Sequence, residues 1–195
     1  MAASLIVVTP PTGEPVSLPE AMAHLRVDPP AVGPHPEEAL IGALITAARQ
    51  HVEETTGRAL LTQTREARWD AWADVLTLPI APVQSVTSVT YVDLAGATQT
   101  LAGADYRIDT ASVLARVTPA YGTTWPTAQQ VTGAIAVRFV AGYGAASAVP
   151  AALKVAMLLL ISHLYENRNG ATERALTEMP LGVSALLSPY RVPWL

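Results

Sequence analysis

Cysteine is absent from the 195-residue chain, which excludes disulfides and thiolate metal sites. Aromatic residues are scarce, at 6% with a single Phe, so the core must be built mainly from Ala, Val, Leu and Ile. Charged residues make up only 14% of the chain, and the formal net charge is -4. Tight binding to nucleic-acid phosphates needs clustered Lys and Arg, which this composition does not provide.

Long apolar segments are also missing. The densest run, residues 149–161, contains Lys154 and falls short of the about 20 apolar residues that span a membrane. The first residues, MAASLIVVTPP, lack the basic region and long apolar core of a secretory signal. We therefore expect no membrane partner and a cytoplasmic protein.

Half of the residues are hydrophobic, and residues 150–168 (PAALKVAMLLLISHLYENR) predict a helix that is apolar on nearly every face. At 100° per residue, the helix has a core stripe, edge positions and an opposite apolar face. The stripe holds Leu153, Met157, Leu160 and Leu164, its edges Ala156 and Ile161, and the opposite face Val155, Leu158 and Leu159. The sequence leaves open whether that opposite face is covered by the same domain or by a neighbouring subunit.

Two further helices are predicted in the first third of the chain. Ser17 and Glu20 form a capping-box pattern for a short helix that extends to about Arg26. A proline-rich linker follows, and the next helix begins near Glu37 and ends at Gly57. Its apolar stripe runs along one side and leaves out Arg49, Gln50 and Glu53.

From Leu61 the period changes to that of strands, and β-branched residues become frequent. Strands are predicted at residues 62–69, 83–92, 98–101, 106–108, 113–117 and 131–141, and a last short helix at 181–187. The prediction is an α+β fold, with a helical domain built from both chain ends and an inserted small antiparallel β-domain. The boundaries are 1–59 and 146–188 for the helical domain, 60–145 for the β-domain and 189–195 for an extended C-terminal tail.

No catalytic, cofactor or metal site is predicted. The four histidines, His24, His35, His51 and His163, do not form the His-Glu-x-x-His pattern of zinc proteases. Asp105 and Asp109 are two carboxylates that flank the predicted strand at 106–108, and their spacing in extended chain separates them by about 13 Å. We expect them to cap turns and to pair with Arg107 or Arg116. A nucleophile elbow is absent, so the sequence points to no enzyme.

Six stretches in order along the chain resemble the head-tail connector (adaptor) proteins of tailed phages and gene transfer agents. They are residues 15–28 (PVSLPEAMAHLRVD), 53–58 (EETTGR), 85–93 (SVTSVTYVD), 105–109 (DYRID), 137–144 (VRFVAGYG) and 163–168 (HLYENR). None of these motifs is catalytic, and the resemblance rests on their order and spacing over nearly the whole chain.

The resemblance implies a ring of about twelve subunits beneath a portal protein, in the neck of a particle assembled in the bacterial cytoplasm. The implied partners are the portal, a tail-side stopper, other copies of the chain, and double-stranded DNA that passes through the lumen without tight binding. Aromatic and Arg residues near the C-terminus suit an interface anchor. The predicted subunit or portal interface comprises Val155, Leu158, Leu159, Tyr190, Arg191, Val192, Trp194 and Leu195.

Two alternatives remain open from the sequence. The chain could be another neck component, such as a stopper or a tail terminator. It could also be a soluble ligand-binding or hydrolytic α+β domain that uses the region of Asp105 and Asp109.

Overall fold

The computed structural model describes residues 3–28, 33–167 and 181–192, and its fold is α+β. The chain divides into two units. The β unit consists of Met1–Pro11 and Thr62–Tyr143, and the helical unit consists of Thr12–Leu61 and Gly144–Leu195.

The described part of the helical unit contains α1 (Leu18–Leu25), α2 (Glu38–Thr56), α3 (Ala151–Glu166) and α4 (Leu181–Leu187). The predicted capping box is confirmed: the Ser17 hydroxyl accepts the Glu20 N–H at 3.3 Å, and the Glu20 carboxylate accepts the Ser17 N–H at 3.4 Å. Gly57 ends α2 in the left-handed region, with φ of 69°. A residue with a side chain would be strained there, so the glycine is a specific stop signal.

Apolar faces of α2 and α3 supply most of the helical core. The buried residues of these two helices include Ile41, Ile45, Ala48 and Val52 on α2, and Leu153, Ala156, Met157, Leu160 and Ile161 on α3. Each fully buried Val, Leu, Ile or Met side chain stabilises the fold by about 1.5–3 kcal/mol. The predicted core stripe of α3 is thus observed for three of its four members, while Leu164 is half-buried.

The β unit contains two antiparallel sheets. One sheet has five strands in the order β1-β2-β8-β4-β5, and the other has three in the order β3-β7-β6. The strands are β1 (Ser4–Thr9), β2 (Gln63–Trp69), β3 (Leu76–Thr77), β4 (Val83–Val92), β5 (Thr98–Thr100), β6 (Tyr106–Asp109), β7 (Arg116–Pro119) and β8 (Ile135–Ala141).

Strand β8 is the centre of the five-stranded sheet and shows the period of two clearly. Ile135, Val137, Phe139 and Ala141 are buried on one face, whereas Arg138 on the other face is exposed. Because the alternation fixes which face is apolar, a shift of one residue in register would expose this whole set. The sheet therefore has a single register around β8.

Strand β1 was not predicted, and residues 1–59 were assigned to the helical domain. In the structure, Ser4 pairs with Arg68 and Leu5 with Ala67, so the strand belongs to the β unit. Within the described residues 189–192, the predicted extended tail also differs from the structure at its start. Ser188–Tyr190 forms a 3-10 helix, since Pro189 lies in its first turn, where its fixed φ suits a helix.

Two strand boundaries differ from the prediction because turns occupy the predicted strand ends. The Asp109 carboxylate accepts hydrogen bonds from Ala111 and Ser112, and β7 therefore begins only at Arg116. The N–H of Ala134 donates to the carbonyl of Val131 at 3.1 Å, so residues 131–134 form a turn before β8. The helix predicted over residues 150–168 is observed as α3, which ends at Glu166 with Asn167 as its C-cap, and residue 168 lies outside the described residues.

Candidate subunit interfaces

Helix α3 presents a partly exposed, uncharged strip on the side opposite its core stripe. We call the residues Ala151, Val155, Leu158 and Ser162 the α3 outer face. Val155 is 45% exposed, and Leu158 is half-buried. Lys154 is the only charged residue of α3 before Glu166, so the outer face has little charge of its own. Contact with a second apolar surface is more favourable for such a strip than exposure to water.

Leu159 was predicted on the same side as Val155 and Leu158, but the chain partly covers it. A Cβ atom built on Gly182 would lie 3.8 Å from the Leu159 Cδ1 atom, which places Leu159 beside the start of α4. Helix α4 buries Val183 and Leu187 in the same unit. Leu159 is therefore half-buried within its own subunit, and Val155 is the most exposed of the three predicted positions.

The C-terminal segment is tied to the end of α2. The Arg58 Nε atom donates to the Tyr190 carbonyl at 2.6 Å, and the Val192 N–H donates to the Thr56 carbonyl at 2.8 Å. Val192 is only 2% exposed. The side chain of Val192 is packed in its own subunit and leaves little surface for a partner, so an interface role for Val192 stays a prediction.

The other predicted tail residues differ in position. Tyr190 is half-buried and Arg191 is exposed, so both side chains have surface that a partner could contact. Trp194 and Leu195 lie outside the described residues.

A buried charge network fixes the start of the helical unit to α2. The Arg49 Nε atom donates to Glu14 at 2.8 Å, and its Nη1 atom donates to Glu53 at 3.1 Å. The other carboxylate oxygen of Glu53 accepts the N–H of Leu60 at 2.8 Å. The sequence analysis placed Arg49 and Glu53 outside the core stripe. In the structure, Glu53 is only 7% exposed. Its buried charge is stabilised by the hydrogen bonds from Arg49 and from the N–H of Leu60. Residues four positions apart are neighbours on a helix, so the spacing of Arg49 and Glu53 was the sequence signal that could have indicated this ion pair.

An aromatic cluster in the β unit also escaped the sequence analysis. The rings of Trp72 and Trp125 are stacked with centroids 4.4 Å apart, and Tyr91 lies 5.9 Å from Trp72. The Trp125 Nε1–H donates to the carbonyl of Ala73 at 2.8 Å. These aromatic residues come from three separate segments, so no local pattern links them.

Glu66 joins two arginines on the polar face of the five-stranded sheet. One carboxylate oxygen accepts from Arg68 at 2.8 Å, and the other accepts from the Nη2 atom of Arg138 at 2.8 Å. Burial opposes the charged form of Glu66, but the hydrogen bonds from Arg138 and Arg68 outweigh it, so the pKa of Glu66 is lowered. The cluster carries a net charge of one positive unit and links adjacent strands β2 and β8.

We expect Glu66→Gln to weaken the acid sensitivity of the β unit. A carboxylate with a lowered folded-state pKa stabilises the fold above its unfolded pKa, about 4.3 for Glu, and that stability is lost as the pH falls through the folded value. Thermal unfolding followed between neutral pH and pH 2 should give a shallower loss below about pH 4.3 for the variant. Asp74→Asn, at an exposed carboxylate, is the control. If Glu66→Gln and the unmodified chain lost thermal stability equally with falling pH, the stabilising role of the Glu66 carboxylate would be contradicted.

Asp109, one of the two carboxylates of the alternative hydrolytic site, is held in a turn. The Asp109 carboxylate accepts hydrogen bonds from the Ser112 hydroxyl and the Ala111 N–H, both at 2.9 Å, which confirms that it caps a turn. The Ser112 hydrogen bond, the Ala111 N–H and the nearby Arg116 lower the pKa of Asp109. Asp109 is therefore ionised at neutral pH and unsuited to donate a proton.

Within residues 3–28, 33–167 and 181–192, no three His, Asp or Glu side chains are grouped as a metal site would require. His51 and His163 instead lie near Thr55 and Asn167, each one turn further along the helix. No helix in the described part of the chain is long and apolar enough to cross a membrane.

Comparison with protein-family models and with curated proteins found no match. Solved structures of gene transfer agent particles, in contrast, contain chains that are similar over nearly the whole length. A chain from the neck of an empty particle, computed with C6 symmetry, is 31% identical with a TM-score of 0.82, covering 98% of this chain and 97% of that chain.

Two further chains agree with this likeness. A chain from the virion of the native particle is 31% identical with a TM-score of 0.77, covering 98% of this chain and 96% of that chain. A chain from the native neck, computed with C12 symmetry, is 30% identical with a TM-score of 0.74, covering 100% of this chain and 97% of that chain.

Proposed function

The chain belongs to the head-tail connector family that includes the neck chains of gene transfer agents, and on that premise we propose that it is the adaptor subunit of such a neck. It is a structural component of the neck of a phage-like particle. In the proposed role, about twelve copies form a ring beneath the portal protein and above a tail-side stopper.

The observation that carries the proposal is the coverage of the likeness. The alignment with the empty-particle neck chain spans 98% of this chain and 97% of that chain at 31% identity. Both units are therefore shared between the two chains. This supports a helical connector domain built from both chain ends, with an inserted β-domain, as the common design of the family.

The α3 outer face supports the ring. Subunits of a ring meet head to tail, so each needs two different surfaces that fit each other. We propose that Val155 and Leu158 contact an adjacent subunit, with Leu159 at the edge of that contact. Val155 has the exposed apolar area for such a contact at 45%.

The C-terminal segment supports the contact with the portal. Tyr190 and Arg191 retain accessible surface next to the buried Val192, so both side chains can contact a partner. We propose that Tyr190, Arg191, Trp194 and Leu195 contact the portal or an adjacent subunit. Arg and large aromatic residues dominate the binding energy of many interfaces.

The charge of the chain suits a conduit for double-stranded DNA. A formal net charge of -4 disfavours strong attraction to phosphates, so DNA could slide through the lumen. The proposed role needs no catalytic group, cofactor or membrane contact. Asp109 caps a turn and its pKa is lowered, which does not suit a proton donor, so we do not propose the hydrolytic activity.

Purified particles provide the direct test. An epitope-tagged copy of the chain should co-purify with particles, and an image of the neck should show a ring of about twelve subunits in contact with the portal. Tyr190 replaced by the photo-cross-linking amino acid p-benzoylphenylalanine should form covalent products with portal peptides, which mass spectrometry would identify. Absence of the chain from particles would refute a neck role, and cross-links only to tail-side proteins would favour a stopper or terminator.

A further inference from the structure

Strand β1 lies at an edge of the five-stranded sheet with both of its faces uncovered. Ile6 is 41% exposed, Val7 is 47% exposed and Val8 is 39% exposed. Successive residues of a strand point to opposite faces of a sheet. Three consecutive exposed apolar residues therefore show that neither face of β1 is fully covered by the described part of the chain.

The free edge of β1 also lacks the usual protection against pairing. Natural edge strands often carry charged side chains, especially Lys, that discourage another strand from adding to the sheet. Residues 3–13 contain no charged residue at all. A register shift between Val7 and Thr9, followed by Pro10, limits regular pairing to about four residues from Ser4 to Val7.

The opposite edge of the same sheet has matching properties. Strand β5 (Thr98–Thr100) is short, uncharged and exposed along its whole length. Its length of three residues is close to the regular part of β1. A head-to-tail contact between identical subunits joins two different surfaces that fit each other. The edges at β1 and β5 are different, uncharged and similarly short, so they suit such a contact.

The strand order defines the direction of such a contact. All neighbouring strands in the order β1-β2-β8-β4-β5 are antiparallel, so β1 and β5 run in the same direction. Adjacent subunits of a twelve-membered ring differ by a rotation of about 30°, which nearly preserves strand directions. An edge contact between neighbours would therefore pair β1 with β5 in the parallel sense.

We propose that β1 of each subunit pairs with β5 of the adjacent copy, so that the five-stranded sheets join edge to edge around the ring. This contact adds to the α3 outer face and rests on the ring of the proposed function. Backbone hydrogen bonds would give the contact its geometry, and the exposed Ile6 side chain would pack beside side chains of the adjacent β5. The occupant of the β1 edge is thus a second copy of this chain.

The absence of cysteine makes a direct cross-linking test possible. The double variant Ile6→Cys and Gln99→Cys would be incorporated into particles and treated with a short bismaleimide. A denaturing gel should show a ladder from covalent dimers up to a closed ring. Each single variant should stay monomeric, because a cysteine in β1 would meet no cysteine in the neighbour. A matched control pairs Gln99→Cys with Val113→Cys, a loop residue that is 57% exposed, and should give no ladder.

The outcomes separate the two proposals. If the double variant forms the ring in the neck but gives no ladder, the pairing of β1 with β5 is refuted and the adaptor role stands. Cross-links from position 6 to another particle protein would also refute the pairing. If the unmodified chain forms no ring in the neck, the adaptor role itself fails.

Discussion

Val155→Glu should abolish incorporation of the chain into the neck ring while leaving the subunit folded. In the isolated subunit the side chain is 45% exposed, so a carboxylate there stays in water and stability changes by at most about 0.5 kcal/mol. In the proposed contact the same carboxylate would be desolvated without a partner, which costs several kcal/mol. A penalty of that size weakens each contact by more than about a hundredfold. Particle-bound chain can be quantified by immunoblotting, alongside thermal unfolding of the purified subunit.

Val113→Glu is the matched control, because Val113 is also an exposed valine, at 57%, but lies in a loop of the β unit. It should leave both incorporation and stability unchanged. Normal incorporation of Val155→Glu would show that the α3 outer face is not a subunit contact. A large loss of thermal stability in Val155→Glu would show instead that the subunit itself needs that face.

Glu53→Ala should produce the largest loss of stability in the helical unit. The substitution leaves the buried N–H of Leu60 without an acceptor and removes one of the two carboxylates around Arg49. Breaking a buried charge pair in this way costs about 3 kcal/mol or more. For a chain of this size, that corresponds to a fall in the unfolding temperature of about 6–12 °C. Calorimetry or circular dichroism would measure it.

Glu54→Ala is an adjacent control, because Glu54 is exposed on the same helix. It should change stability by at most about 0.5 kcal/mol. Glu53→Gln should fall between the two, since its amide oxygen can still accept from Leu60 although the charge is lost. Equal stability of Glu53→Ala and Glu54→Ala would refute the structural importance of the network.

The helices were largely predictable because their signals are local. The capping box at Ser17, the glycine stop at Gly57 and the apolar period of residues 150–168 each depend on neighbours within a few residues along the chain. Strand β1 lacks such a signal. Residues 5–8 form a continuous apolar run without alternation, and the partner of the strand is β2, about sixty positions away.

The side chains of the candidate interface were also only partly predictable, because local patterns do not show which distant elements pack against them. The helical period separates Val155 from the core stripe, but it cannot tell which neighbouring element covers the other side. Helix α4 partly covers Leu159, and the end of α2 holds Val192, so these two residues differ from what helical and tail patterns predicted. Glu53 is a further example, because a carboxylate that counts as a surface residue by pattern becomes buried once its hydrogen-bond donors are in place.

The division of the chain into two interleaved units has a consequence for folding during synthesis. Helix α2 ends at Thr56, but its partner α3 begins only at Ala151, after all strands from β2 to β8. At about 5–20 residues per second, a ribosome needs about 5–20 s to cover that distance. During this time the apolar face of α2, including Ile41 and Ile45, has no completed core to enter. The helical unit is completed last, because α3 and α4 follow the whole β unit, so the apolar face of α2 is the part of the nascent chain with the longest need for protection by chaperones.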